Sequence, residues 1–105
     1  MTVLRVLIEP QFLRDGVWYV AQCLEYDLAV QARSAQEAED EFVQLVRSRC
    51  AVAADRQIED PFHGIRPAPK RFEALWENAL RVESRPQISF GTAQSQPCQV
   101  ESRVA

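Results

Sequence analysis

The chain is poor in the residues that most often carry chemistry. Its single histidine, His63, stands beside Gly64 in a proline-rich stretch. A general base needs a nucleophile within reach, and the sequence signals none, so a solvated or backbone-bonded imidazole is expected. The three cysteines, Cys23, Cys50 and Cys98, are odd in number and form no C-x-x-C pair. That argues against a disulfide framework or a zinc site and points to reduced thiols. Cys23 has acidic neighbours, which raise a thiol's pKa, so it is expected to be inert. No apolar run approaches the roughly 20 residues of a membrane helix. The chain opens on an alternating pattern and not on a basic segment followed by an apolar one, so no secretory leader is expected. These absences predict a cytoplasmic protein with no membrane partner, no metal and no cofactor.

What remains suffices for one small folded body. Of 105 residues, 47% are hydrophobic and 26% charged, a balance that buries a core. So short a chain is rich in surface and is expected to gain stability by oligomerising. The net charge of -3 is uneven. Residues 9 to 62 hold 11 acidic and 5 basic side chains, or -6, whereas residues 63 to 85 hold 5 basic and 3 acidic, or +2. An acidic body repels phosphate and attracts basic partners, so direct nucleic-acid binding is not expected.

Hydrophobic spacing divides the chain. "VLRVLI" at 3 to 8 alternates as a strand that Glu9 and Pro10 should end. Gly16 marks a turn. "VWYVAQC" at 17 to 23 and "LAVQAR" at 28 to 33 are two further strands, close enough in sequence for an antiparallel meander. "SAQE" at 34 to 37 fits a capping box. Ala35, Ala38, Phe42, Leu45, Val46 and Ala53 then repeat at helical spacing, and the helix should fade by Ala54 or Asp55. Arg49 interrupts that stripe and should snorkel. Residues 1–56 therefore read as a β-β-β-α body of the α+β class, a three-stranded antiparallel meander with one long helix packed on one face. Residues 57–68 read as a proline-rich connector. Residues 69–90 hold a short second helix that Pro69 can begin, anchored by Phe72, Leu75 and Trp76 on the body or a second subunit, and a possible strand at 87 to 90. Residues 91–105 show no clear period and read as a loose tail.

Three clusters invite a chemical reading. Two-metal phosphodiester hydrolysis needs three or four converging carboxylates. Of Glu9, Glu25, Asp27 and Glu37, only Glu25 and Asp27 share a turn, so no catalytic residue is assigned. Trp18, Tyr19 and Tyr26 could stack on bases, but they lack interleaved lysine or arginine and read as core or interface. "RPAPKR" at 66 to 71 is a small basic patch that reads as solvated linker.

The order strand, turn, strand, "C-x-E-x-D", strand, capped helix resembles the HicB family of antitoxins. Tyr19 and Cys23 of the second strand, Glu25 of the turn, Gln31 before the helix and "SAQEA" at 34 to 38 carry the likeness, which spans about residues 3 to 55. The family's proline-rich turn is here "CLEYD", its glycine before the helix is Ala32, and no C-terminal DNA-binding module is visible. The resemblance implies a partial ribonuclease-H-like fold, a homodimer or tetramer, and a non-enzymatic role in which a small basic toxin ribonuclease is captured and occluded. Glu25, Tyr26, Asp27, Glu39 and Asp40 are then the expected partner contacts. A stand-alone homo-oligomeric structural or regulatory protein with no toxin is the other expectation.

Overall fold

The structure, a computed structural model, describes residues 2–82, 87–88 and 98–105. The fold is α+β, a mixed sheet with one long and one short helix. β1 (Thr2–Leu13), β2 (Gly16–Cys23) and β3 (Ala29–Ala32) form the antiparallel meander read from the sequence. α1 (Ala35–Asp55) follows. The Ser34 hydroxyl accepts a 3.1 Å hydrogen bond from the Glu37 amide, satisfying one donor of the first turn.

The sheet is larger than three strands. Its order is β3-β2-β1-β6-β4, with β6 (Cys98–Val104) parallel to β1 over seven residue pairs, Thr2↔Cys98 to Ile8↔Val104. β4 (Leu80–Arg81) and β5 (Gln87–Ile88) each pair antiparallel with β6. The stretch expected to be a loose tail thus contains an interior strand, while residues 91–97 lie outside the described residues. The possible strand at 87 to 90 is described only at Gln87 and Ile88.

Pro10 does not end β1. Leu24 N–H donates to the Arg5 carbonyl, and Ala105 N–H to the Ile8 carbonyl. Odd residues of β1 therefore turn their backbone groups to β2 and even ones to β6. β6 stops opposite Ile8, so the amide proton that proline lacks would have met no partner.

The two sheet faces are covered separately. Leu4, Val6, Ile8, Ala21, Cys23 and Val100 pack against Ala38, Phe42, Val43, Val46 and Cys50 of α1. On the other face Leu7 and Leu24 pack against Trp76 of α2 (Arg71–Glu77), with Phe72 at the margin. The helix stripe differs from expectation in phase. Leu45 is only half-buried, whereas Glu39, Val43 and Cys50 are buried. Arg49 is half-buried and reaches the Pro61 carbonyl through Nε at 3.1 Å.

Candidate functional site

The Cys23-to-Leu28 turn is built as a clasp. Glu25 accepts from the Arg5 amide and from Arg5 Nε, both at 2.6 Å. Tyr26 stacks on Phe62 with ring centroids 4.3 Å apart. Asp27 N–H donates to the Arg66 carbonyl at 2.7 Å, and its Oδ1 accepts from Gln22 Nε2 at 2.9 Å. Ala68 N–H donates to the Leu24 carbonyl. The proline-rich connector therefore lies along the turn. Of the three turn residues, only Asp27 is exposed.

Arg5 joins the turn to α2. Its Nη1 and Nη2 donate to the two oxygens of Glu73, each at 2.8 Å, the planar fork that fits a carboxylate. Those bonds raise the Arg5 pKa further above its ordinary value and hold the Glu73 carboxyl below its own. A carboxyl depressed in the folded state stabilises it at neutral pH, and that contribution is lost as pH falls through the folded pKa. Glu73 is exposed, so the effect is small. Arg5→Met should give a flatter Tm-against-pH profile than the natural chain on acidification from pH 7 through the carboxylate range, measured by circular dichroism. Parallel profiles would show that the fork contributes nothing.

The expected partner contacts do not converge. Glu39 is only 2% exposed, inside the helix–sheet layer, and is not a surface contact. It lies three residues before Phe42 and four before Val43, a spacing that already places it on the buried stripe. Asp40 is exposed and accepts from Gln36 Nε2 at 3.0 Å. It sits in the early turns of α1, whereas the Glu25–Asp27 turn lies beside Phe62, beyond the helix's other end. Trp76 docks within its own chain, whereas Leu75 is 41% exposed and, among the described residues, lies outside the cluster around Trp76.

A different surface stands out at the opposite end of the sheet. β3 pairs with β2 only over residues 19 to 22, and β6 leaves β1 after Ile8. Residues 9 to 18 therefore project as a two-stranded ribbon. Strand alternation gives it two unlike faces. On one, the Arg33 guanidinium lies 3.9 Å from the Trp18 ring and its Nη2 donates to Asp15 Oδ2 at 2.9 Å. The Trp18 indole N–H, with Arg33 beside it, holds the Asp15 carboxyl below its ordinary value. The other face continues the α1 side of the sheet through Pro10 and Tyr19 to Phe12 and Val17, which are paired in register. Phe12 is 78% exposed and Val17 37%. Arg33 ties the start of α1 to this ribbon, so the exposed Glu37, Asp40 and Glu41 occupy the same end of the molecule. Sequence reasoning missed the surface because Pro10 was read as a strand end, although "QFL" before "RDG" continues the alternation.

The thiols are enclosed. Burial pushes Cys23 up to about 11 and Cys50 up to about 12, and raises Cys98 as well. A thiol reagent at pH 8 should label none of the three in the folded chain within the time it labels all three in denaturant. Rapid labelling of any one would place that cysteine at the surface. Among the described residues, no group of three or more His, Cys, Asp or Glu side chains could hold a metal ion, and no helix is long and apolar enough to cross a membrane.

No family model, curated protein or solved structure matches this chain. Among the described residues, the ribbon end combines the exposed apolar side chains of Phe12 and Val17 with the exposed carboxylates of the helix start.

Proposed function

We propose that this chain is a non-catalytic, cytoplasmic protein-binding module of the HicB antitoxin type, whose partner is a small basic toxin ribonuclease that it occludes. The observation that carries this reading is the uncovered Phe12–Val17 face next to Glu37, Asp40 and Glu41. Apolar area supplies affinity, and the carboxylates select and steer a cationic surface. The charge of -6 over residues 9 to 62 favours the same class of partner. The meander and capped helix are the body that such binders would share.

The test uses the product of the adjacent reading frame, purified and mixed with this chain. The expected result is a complex in which that protein's cleavage of RNA is suppressed. Asp40→Lys with Glu41→Lys should weaken the complex at least about tenfold at low salt, the gap closing as salt screens the charges. A neighbour that is neither small nor basic, or binding indifferent to the reversal, would remove the proposal. The second reading is a homo-oligomer with no toxin, and what favours it is the exposed apolar area at Phe12, Val17, Val52 and Ile58, each 37–78% exposed.

A further inference from the structure

We infer that an extended segment of the basic partner pairs with the free edge of β3 and adds a strand to the sheet beside the flank of α1. The inference rests on the reading of this chain as a binder of a cationic protein, and it names the form in which that protein docks.

β3 stands at one end of the sheet order. Cys23 N–H donates to the Leu28 carbonyl at 2.9 Å, and the register Ala21↔Val30, Tyr19↔Ala32 continues from that pair. In an antiparallel ladder such bonded pairs recur at every second residue. Leu28, Val30 and Ala32 therefore turn their backbone groups to β2, and Ala29 and Gln31 turn theirs outward. The proline-rich connector follows this edge no further than Asp27, whose N–H meets the Arg66 carbonyl. Past that point Ala29 and Gln31 are exposed, and among the described residues no strand or loop pairs with their backbone groups. Neither residue carries the charge or proline that commonly closes an edge.

α1 overhangs this edge. Arg49 Nε reaches the Pro61 carbonyl, and the next residue, Phe62, stacks on Tyr26 of the β2–β3 turn. That flank of α1 therefore lies on the β3 side. Leu45 and Glu41, one and two turns before Arg49, share it. Leu45 is half-buried, and Leu28 and Val30 are half-buried at the margin of the main core. A strand laid along β3 brings alternate side chains toward α1, where they would cover Val30 and Leu45. Open edge donors and acceptors select an extended backbone, because a helix keeps its own groups paired.

Charge sets the sequence of the occupant. Exposed Glu37 and Glu41 stand at the Ala32 end, where Arg33 is already paired with Asp15. The other end carries both signs: Arg66 adjoins Asp27, and Arg49 and Arg56 adjoin Asp60. The segment that fits is apolar at every second position and carries lysine or arginine where it passes the start of α1.

The test follows the Ala29 and Gln31 amides by hydrogen exchange, in the full chain alone and with the purified product of the adjacent reading frame. Alone, both should exchange as open amides do; in the complex, both should slow by at least about tenfold. Gln31→Pro removes the outward N–H and no bond within the sheet, a place where an edge strand tolerates proline. It should unfold within a few degrees of the natural chain and bind the same protein at least about tenfold more weakly. Gln31→Ala keeps the amide while losing the bond to Gln11, and should bind as the natural chain does. Binding that leaves both amides fast, or that responds alike to Gln31→Pro and Gln31→Ala, would overturn strand addition and leave the reading as a binder of basic proteins standing. No binding at all would remove both. Slow exchange of the two amides in the chain alone would show the edge already covered, by a second copy if the mass exceeds the 12.0 kDa monomer, and would overturn the inference as well.

Discussion

Phe42→Ala should destabilise the chain by about 3–5 kcal/mol, the cost of emptying a fully enclosed aromatic site. Phe42 is 0% exposed and lies between the sheet and α1, among Val6, Ala21 and Val46. Domains of this size hold only about 5–15 kcal/mol in total, so the midpoint temperature should fall by on the order of 15 °C or more. Leu45→Ala is the control. Leu45 is half-buried on the flank of the helix, and its truncation should cost about 1 kcal/mol or less. Urea unfolding with the slope unchanged separates the two, since a shift in midpoint alone reports stability. Equal losses at 42 and 45 would mean that the helix is rotated from the phase described.

That pair of residues also measures how far the sequence could be read. Alternation in residues 17 to 23 and 28 to 33 and the capping serine at 34 were enough for the meander and the start of α1, because each is a local signal of one element. The helix phase was nearly readable. Weighting Leu45 by hydrophobicity drew the stripe toward the wrong flank, and discounting Glu39 by charge hid a residue whose spacing from Phe42 and Val43 puts it inside. The candidate surface was less readable. Glu25 and Asp27 looked like a free acidic turn because their partners Arg5, Arg66 and Gln22 are placed by the fold, and Arg5 lies 20 residues from Glu25. The exposed ribbon was hidden by a proline rule that holds for strands paired on both sides and not past Ile8, where one neighbour ends. In β6, Cys98, Val100, Ser102 and Val104 do alternate with Gln99, Glu101 and Arg103. A serine and a cysteine blunt that pattern, and no local signal announces parallel pairing with a strand about 96 residues earlier.

A chain ending at Pro97 should lose cooperative unfolding and precipitate, the largest effect anticipated for any change to this molecule. The cut removes β6 from between β1 and β4. It strips seven paired positions from β1 and, among the described residues, the only strand partner of both β4 and β5. On the α1 side it removes Cys98 and Val100, 3% and 0% exposed, from contact with the main core. On the other side it removes Arg103, whose Nη1 donates to the Trp76 carbonyl at 2.9 Å and whose guanidinium lies 4.3 Å from the Trp76 ring. β1 would then present a long apolar edge with unpaired amides and carbonyls, the usual template for aggregation. Val100→Asp tests the same strand without truncation. It places a carboxylate at a fully enclosed site and should cost several kcal/mol. A peptide of residues 98–105 added to the truncated chain should restore solubility if the strand acts through pairing and packing. Should the truncated chain instead unfold cooperatively within a few degrees of the natural one, the body would be the three-stranded meander alone and β6 an accessory to it.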